Sequence, residues 1–156
     1  MKNQKGKRAM KILLATDGSV YSKAAVEEVA NRPFPVNTAV CIVSVYERTS
    51  LINALEPMGV SHEYYTEVDR NAFKAAEEIT ENAGKILHAK NPTLIVTTIV
   101  IEGSPKSGIL KEAETFDADL IIVGSHGHGA VERFLLGSVS QAMALHAKCS
   151  VEIVRK

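Results

Sequence analysis

The 156-residue chain has an ordinary globular composition, with 46% hydrophobic and 23% charged residues, and its length suits one domain with a sizeable core. Its 18 basic and 18 acidic residues balance to a formal net charge of zero, which excludes any charge-based argument for a nucleic-acid or anionic-membrane partner. Its apolar runs are shorter than the roughly 20 residues of a membrane-spanning helix. Cys41 and Cys149 lie far apart within apparent strands, a pattern typical of core thiols in a reducing compartment. We therefore expect a cytoplasmic protein without nucleic-acid or membrane partners.

The first ten residues are rich in lysine and arginine. We predict that residues 1–10 form a short, solvated basic tail and that residues 11–156 form the folded domain. The domain opens with an apolar run, residues 11–17, which predicts a buried strand. Residues 19–32 then carry apolar side chains at helical spacing and precede a proline, so they predict a helix.

The middle of the chain continues this alternation. Residues 38–47 are β-branched and apolar on both faces, a pattern typical of a strand that is covered on both sides. Residues 48–61 contain a proline and a glycine and predict one long irregular loop. Residues 62–89 predict the longest helix, with an apolar stripe that includes Ala72, Ala76 and Ile79.

The last third of the chain again alternates strand and helix. Residues 93–103 predict a third strand, and a Ser-Pro pair directly after it predicts the start of a helix. Residues 118–124 predict a fourth strand. Residues 137–148 predict a last helix, and residues 149–156 predict a fifth strand.

Strands that alternate with helices predict a parallel sheet with helices on both faces, because parallel neighbours are joined by right-handed crossovers. We predict a single doubly wound α/β domain with five strands in the order 3-2-1-4-5. In this order the winding direction reverses between strands one and four, and open α/β sheets bind ligands at the carboxyl ends of the strands at that point. Those two ends read ATDGS (residues 15–19) and VGSHG (residues 123–127).

A glycine-rich segment begins at the end of strand four, with the spacing G-x2-G-x9-G-S through Gly124, Gly127, Gly137 and Ser138. We expect Gly124 to leave bare backbone for a ligand, and Gly127 to help turn successive N–H groups inward as an anion nest. Gly137 and Ser138 open the last helix, whose free N–H groups and dipole attract negative charge. Ser138 also begins a capping-box sequence and, with Ser140, adds hydroxyl donors. The pattern indicates a phosphate site built from neutral donors.

A flexible connector between strand and helix is the alternative interpretation of this segment. Its apolar residues 134–136 argue against an idle exposed loop and predict a segment that is folded down by a short helical turn. Other nucleotide motifs fail on specific residues, because the chain has no Walker A string and the turn after strand one reads TDGSVYS rather than G-x-G-x-x-G. A receiver domain would need paired acidic residues near strand one, where the chain offers Asp17.

Three segments carry a family signature: KILLATDGS, EGSPKSGILKEAETFDADLIIVGSHG and LLGSVSQAMALHAKCSVEIV. With the glycine spacing, they resemble the universal stress protein family, in the subclass that binds ATP. The resemblance implies that residues 11–156 form a universal stress protein domain of the adenine nucleotide alpha-hydrolase-like fold, with ATP between strands one and four and dimers that often form through the last strand. The contacts that it implies are Ala15, Thr16 and Asp17 bordering adenosine, Val45 meeting adenine through its backbone, Val123 and Gly124 packing on the nucleoside, and Gly127, Gly137, Ser138, Val139 and Ser140 holding the phosphates.

Charged and titratable residues near the predicted site each have more than one possible role. Asp17 could accept a ribose hydroxyl or an adenine amine, hold water on a Mg²⁺ ion, or cap the first helix, a role that Ser19 could take instead. His126 and His128 supply only two candidate metal ligands, so we predict no metal site of their own. Arg133 could bind the phosphates or remain a solvated loop charge.

The site lacks the features of an efficient enzyme. No serine in it has an evident His–carboxylate relay, and its donors are mostly neutral, whereas fast phosphoryl transfer needs cations on the developing charge. We predict no catalytic residue and at most a weak ATPase. Our leading hypothesis is an ATP-binding regulatory homodimer of the stress response, with Mg²⁺ beside the nucleotide and an unidentified protein partner. The alternatives are a slow ATPase or phosphotransferase, and an interaction scaffold that binds no nucleotide.

Overall fold

The computed structural model describes residues 8–128 and 136–156, with residues 49–52 described by their backbone alone. Strands and helices alternate along these residues. In chain order the elements are β1 (Lys11–Ala15), α1 (Val20–Asn31), β2 (Ala39–Tyr46), α2 (Arg48–Leu55), a single 3₁₀ turn (Glu56–Met58), α3 (His62–Lys90), β3 (Ile95–Glu102), α4 (Pro105–Thr115), β4 (Leu120–Gly124), α5 (Ser138–His146) and β5 (Ser150–Val154).

The five strands form one parallel sheet in the order β3-β2-β1-β4-β5. This confirms the predicted strand order and the doubly wound α/β fold. β1 lies at the centre, where Leu13 stands opposite Cys41 of β2 and Ile121 of β4. Side chains of successive strand residues point to opposite faces. One core cluster therefore lies between the sheet and helices α1 and α3, and the other lies beneath α4 and α5.

The starts of the helices follow from short-range capping. The side chain of Ser19 accepts a hydrogen bond from the Ser22 backbone N–H at 3.2 Å and caps α1. Ser61 caps α3 in the same way, through the N–H of Tyr64 at 3.4 Å. α4 begins at Pro105, as the Ser-Pro pair predicts, because proline at the first helical position needs no N–H partner.

The prediction of an irregular loop over residues 48–61 is wrong. The chain forms α2 over Arg48–Leu55 and continues into the 3₁₀ turn. The proline of this segment lies in the first turn of that 3₁₀ helix, where proline is tolerated, and Gly59 ends the turn with φ +65°. Arg48 lies 3.6 Å from the carboxylate of Asp69 on α3, so an ion pair holds the start of α2 against its neighbour.

The predicted capping box at α5 is also wrong. Gly137 is the N-cap residue, Ser138 is the first helical residue, and the cap has no side-chain hydrogen bond. A Cβ atom on Gly137 would lie 3.1 Å from the Cα of His126, so the tight approach of two chain segments favours glycine at this cap. The side chain of Gln141 donates instead to the carbonyl oxygen of Leu136 at 3.3 Å.

The described residues of the predicted N-terminal tail contact the domain. Arg8 forms ion pairs with Asp117 and Asp119. The carbonyl oxygen of Met10 accepts the N–H of Ala39 at 2.8 Å. The division into a tail (residues 1–10) and a domain (residues 11–156) stays a prediction, because residues 1–7 lie outside the described part.

The two cysteines are free thiols; Cys41 is buried and Cys149 is half-buried.

An ion pair joins the end of α1 to the edge strand β5. The guanidinium of Arg32 binds both carboxylate oxygens of Glu152, at 2.7 and 2.5 Å. None of the helices in the described ranges is both long and apolar enough to cross a bilayer.

Candidate functional site

A cleft of about 780 Å³ opens at the carboxyl edge of the sheet, within the size range of small-molecule sites. It extends from the end of β2, across the ends of β1 and β4, to the first turn of α5. This is the switch point of the fold, since β1 and β4 are neighbours. All eleven site residues predicted from the sequence line the cleft: Ala15, Thr16, Asp17, Val45, Val123, Gly124, Gly127, Gly137, Ser138, Val139 and Ser140.

One end of the cleft exposes the backbone of Val45. Thr16, the first residue after β1, donates its N–H to the carbonyl oxygen of Val43 at 2.9 Å. On the opposite edge of β2, the carbonyl oxygen of Tyr46 accepts the N–H of Gly103 at 2.9 Å. Because the backbone groups of successive strand residues alternate between the two edges, the N–H and C=O of Val45 face past the end of β1. They offer a donor and an acceptor to a flat ligand there.

Asp17 lies at the middle of the cleft, directly after β1. Its carboxylate accepts the N–H of Ser19 at 3.0 Å and the N–H of His128 at 3.0 Å. Burial acts to raise the pKa of Asp17, but hydrogen bonds from Ser19, His128 and Ser22 outweigh it, so the pKa lies below its usual range. Asp17 is therefore an anion at neutral pH. A carboxylate at this position can accept hydrogen bonds from a hydroxyl group, an amine or metal-bound water, and it repels phosphate.

Two glycines of the signature, Gly124 and Gly127, make room for other parts of the protein, a role that the sequence did not predict. A Cβ atom on Gly124 would lie 2.6 Å from the backbone carbonyl carbon of Tyr21 in α1. A Cβ atom on Gly127 would lie 2.8 Å from a carboxylate oxygen of Asp17. Gly124 therefore makes room for the backbone of α1. Gly127 makes room for the side chain of Asp17.

The expected anion nest is not formed by residues 124–128. A nest needs a residue in the left-handed region of φ, and the described residues with positive φ are Asn37, Asp117 and three glycines, Gly18, Gly59 and Gly103. Residues 129–135, including Arg133 and most of the apolar run at 134–136, lie outside the described residues. The predictions made for them stay predictions.

Ser125 connects the segment after β4 to both α5 and β5. Its N–H donates to the carbonyl oxygen of Val154 at 2.8 Å, and its carbonyl oxygen accepts the N–H of Gly137 at 2.7 Å. The buried hydroxyl of Ser140 lies 2.9 Å from the same carbonyl oxygen. The N–H of Gly137 and the hydroxyl of Ser140 thus bind the loop itself, although the sequence pattern assigned both residues to phosphate.

The first turn of α5 supplies the donors at the other end of the cleft. The first N–H groups of any α-helix have no partner within that helix. In α5 these belong to Ser138, Val139 and Ser140, all of which line the cleft. Together with the helix dipole they make this end attractive to an anion.

Several lining residues were not recognised in the sequence. Ala72, Ala76 and Ile79, part of the apolar stripe of α3, form one wall. Pro105 and Ile109 of α4 form the facing wall. A helical stripe that runs past the end of a sheet can line a cleft as well as a core. The sequence contains no signal that separates the two cases. Tyr46, Leu136 and Gln141 also line the cleft, as do His126 and His128, which were expected near the site.

Potential metal ligands are sparse. No group of three or more histidine, cysteine, aspartate or glutamate side chains is clustered within residues 8–128 and 136–156. His126 and His128 both line the cleft, and His126 Nδ1 lies 3.0 Å from the hydroxyl oxygen of Ser125. Asp17 remains the carboxylate at the centre of the site.

Comparison with known proteins identifies the family. The model of the universal stress protein family matches residues 9–155. The chain belongs to the universal stress protein family. A putative universal stress protein of Staphylococcus saprophyticus is 34% identical over 149 residues, which cover 92% of this chain and 82% of the relative. A universal stress protein of Methanocaldococcus jannaschii is 30% identical over 148 residues, covering 94% of this chain and 82% of the relative.

Solved structures, several universal stress proteins among them, share the fold. A hypothetical protein used as a test case for assigning biochemical function from structure superposes with a TM-score of 0.80 and 27% identity, covering 94% of this chain and 95% of that chain. Complexes of other members contain cAMP, AMP (Arabidopsis thaliana) and dAMP (Archaeoglobus fulgidus). These three are 18–21% identical, with TM-scores of 0.60–0.65, and cover 93–94% of this chain and 92–97% of their own. Their likeness to this chain shows the fold.

Proposed function

We propose that this universal stress protein binds ATP, with Mg²⁺, in the cleft at the switch point, and that it acts as a nucleotide-dependent regulatory homodimer. The observation that carries the proposal is the meeting of three distant segments in one cleft. The segments are residues 15–17, residue 45, and the described residues between the end of β4 and the first turn of α5 (123, 124, 126–128 and 136–140), and each supplies a different kind of contact. Adenine-nucleotide complexes of other family members support the choice of ligand.

The two ends of the cleft differ in the way that a nucleotide requires. At the β2 end, the backbone of Val45 can pair with a base, and apolar side chains of α3 and α4 form the walls. At the α5 end, helix N–H groups and the hydroxyl of Ser138 can bind phosphate oxygens. The ends of β1 and β4 separate the two regions, a span of roughly 10 Å at about 4.8 Å between neighbouring strands. That span suits a ribose between base and phosphates.

The residues present also fit a Mg²⁺ ion that is bound mainly through the nucleotide. Mg²⁺ usually keeps several waters and takes one or two carboxylates together with substrate phosphates. Asp17 is such a carboxylate, and its lowered pKa keeps it ionised. Bound Mg²⁺ would neutralise phosphate charge. Asp17 would orient it through water while its backbone hydrogen bonds to Ser19 and His128 hold the carboxylate in place.

Ser125 connects the phosphate end of the cleft to the edge strand β5. The same residue holds the start of α5 through its carbonyl oxygen and holds β5 through its N–H to Val154. β5 is an edge strand, and an unpaired edge invites pairing with a second copy. On α5, the helix that precedes β5, Leu145 is 77% exposed. We infer that nucleotide at the α5 end changes the surface that β5 and the described residues next to Ser125 (125–128 and 136) offer to a second copy or to a protein partner.

Calorimetry on ligand-stripped full-length protein tests the proposal. We expect Mg·ATP to bind with measurable heat and Ser138→Glu to abolish binding, because a carboxylate at the phosphate end repels phosphate. Thr115→Glu is the matched control: it adds the same charge at the far end of α4, outside the cleft, and should bind like wild type. Mass spectrometry of a heat extract from freshly purified protein should find adenine nucleotide. Absence of both signals in wild type would contradict the proposal.

A further inference from the structure

One buried hydroxyl group in the cleft has no hydrogen-bond partner in the described part of the chain. Within that part, eight buried side chains carry a hydroxyl group, and four of them line the cleft: Thr16, Ser22, Ser44 and Ser140. Seven of the eight form a side-chain hydrogen bond. Thr16, for example, donates to the hydroxyl oxygen of Ser22 at 3.1 Å. Ser44, in β2, is 3% exposed and forms none with any described residue.

The hydroxyl of Ser44 opens onto the cleft on the side of α3. Among the described residues, the fully buried side-chain oxygen that lacks a partner belongs to Asp69. The small exposed fraction of Ser44 therefore includes its Oγ. Because side chains alternate along a strand, Ser44 shares a face of β2 with Ile42 and Tyr46. Ile42 belongs to the core cluster between the sheet and helices α1 and α3, and the ring of Tyr46 contacts α3. The side chain of Ser44 thus faces α3.

The surroundings of Ser44 leave its hydroxyl to a ligand. The α3 residues that line the cleft have apolar side chains, which neither donate nor accept hydrogen bonds: Ala72, Ala75, Ala76 and Ile79. Within β2, the carbonyl oxygen of Val43 accepts the N–H of Thr16 at 2.9 Å, whereas the N–H and C=O of Val45 face the cleft. Ser44 therefore lies between a residue bonded within the sheet and a residue that offers its backbone to a ligand. A buried hydroxyl group without a partner costs free energy, so a bound group that pairs with Ser44 gains affinity.

We propose that Ser44 is a ligand-binding residue whose hydroxyl forms a hydrogen bond with the nucleoside part of the bound nucleotide. The inference rests on the proposed nucleotide function and adds a contact to it. Ser44 lies on β2, two strands from β4, a distance of roughly 10 Å at about 4.8 Å between neighbouring strands. The N–H groups that attract phosphate belong to α5, which follows β4, so the Ser44 hydroxyl meets the base or the ribose. A hydroxyl group both donates and accepts, and both parts of a nucleoside carry suitable partners.

Titration calorimetry on the ligand-stripped full chain tests this contact with Mg·ATP, adenosine and inorganic tripolyphosphate. We expect Ser44→Ala to weaken Mg·ATP and adenosine by the same factor, about three- to tenfold, the range for one hydrogen bond between neutral groups. Tripolyphosphate should bind as it does to wild type. The urea-unfolding midpoint of ligand-free Ser44→Ala should equal that of wild type, because no hydrogen bond within the protein is lost. Ser150→Ala removes an exposed hydroxyl from β5, outside the cleft. It is the matched control and should behave as wild type in every measurement.

A fourth probe, Mg·dATP, identifies the group that pairs with Ser44. If Ser44→Ala leaves the affinity for Mg·dATP unchanged while it weakens Mg·ATP, the partner is the 2′-hydroxyl of the ribose. If it weakens both nucleotides by the same factor, the partner lies elsewhere on the nucleoside. Either result supports a contact between Ser44 and the nucleoside.

The outcomes distinguish this inference from the proposed function. If wild type binds Mg·ATP and Ser44→Ala binds every probe equally well, the role of Ser44 alone is overturned, because its hydroxyl is then hydrated in the complex. Weaker tripolyphosphate binding or a lower urea midpoint in Ser44→Ala would also overturn it, since the hydroxyl would then act on phosphate or on the fold. Wild type that binds no nucleotide would overturn both proposals. Ser44→Cys keeps the size of the side chain with a weak S–H donor and is held to the same expectations.

Discussion

Asp17 and His128, 111 residues apart in the chain, are joined by two hydrogen bonds. The backbone N–H of His128 donates to the Asp17 carboxylate at 3.0 Å. The His128 ring nitrogen Nε2 lies 2.8 Å from the Asp17 carbonyl oxygen and must donate to it, since a carbonyl only accepts. The pair connects the turn after β1 to the segment after β4, the two sides of the cleft at the switch point.

Replacing Asp17 by asparagine should weaken this connection. Asparagine has one acceptor oxygen in place of two, so the N–H of either Ser19 or His128 loses its partner. We expect Asp17→Asn to lower the free energy of unfolding by about 1–3 kcal/mol in urea at pH 7. Glu81→Gln, which removes the charge of an exposed α3 residue, serves as the control and should leave stability unchanged. Equal stability of the two variants would show that the connection contributes nothing to folding.

The contribution of Asp17 to the free energy of unfolding should decrease as the pH falls. Because its folded pKa lies below the ordinary value of 3.8, the unfolded chain binds the proton more readily in acid. The stability difference between wild type and Asp17→Asn should therefore be fully present above about pH 4 and decline as the pH falls through the folded pKa. Urea unfolding of both proteins between pH 2.5 and 6 measures it. A difference that grows toward low pH would contradict the assignment.

A double-mutant cycle tests why residue 127 is glycine. A Cβ atom there would lie 2.8 Å from an Asp17 carboxylate oxygen, so Gly127→Ala must displace the carboxylate from its donors. We expect Gly127→Ala to destabilise wild type by about 1–3 kcal/mol. The same change should cost clearly less in an Asp17→Ala background, because the clashing atoms are gone. Gly127→Val should also abolish nucleotide binding. Additive effects in the cycle would mean that Gly127 serves some purpose other than space for Asp17.

Gly124 should behave differently from Gly127, because its neighbour is backbone. A Cβ atom on Gly124 would lie within 2.6–2.8 Å of backbone atoms of Tyr21 and Ser22, and a helix cannot yield as a side chain can. We expect Gly124→Ala to lower the free energy of unfolding by about 3 kcal/mol or more. Thermal unfolding monitored by circular dichroism measures the loss. Gly84→Ala is the control, since its Cβ would meet only ordinary contacts at 3.8 Å and beyond.

Much of the architecture could be predicted from the sequence, because it depends on local pattern. Apolar runs alternating with helical spacing predict a parallel sheet, and the strand order then determines which strand ends meet. The full set of eleven residues that line the cleft comes from the resemblance to the universal stress protein family, which adds residues such as Val45 and Val139 to those indicated by the glycine spacing. The helix within residues 48–61 was missed because proline and glycine usually mark a loop, whereas here the proline lies within one 3₁₀ turn and the glycine ends it.

The roles of individual site residues could not be predicted, because they depend on distances between distant segments. A glycine in a sequence reveals that space is needed but not what fills it: a helix backbone at Gly124 and a carboxylate at Gly127. The ring contact between Tyr46 and Phe73 was missed for a similar reason. Tyr46 continues a strand pattern and Phe73 lies among polar residues of α3, so only the packing of α3 on the sheet brings their rings together.

Ser138 and Ser140, two residues apart at the start of α5, should differ in what their hydroxyl groups do. The Ser140 hydroxyl is buried and bonds to the Ser125 carbonyl oxygen, so Ser140→Ala should lower stability by about 0.5–1.5 kcal/mol. Ser138 lines the cleft and the helix cap makes no side-chain bond. We expect Ser138→Ala to preserve stability but to weaken ATP binding by about 1.5–3 kcal/mol, the range for a hydrogen bond to a charged group. Urea unfolding and calorimetry on both variants separate the two effects, and each serine is the other's control. If Ser138→Ala lost stability while Ser140→Ala kept it, the division between a ligand-facing and a structural hydroxyl would be reversed.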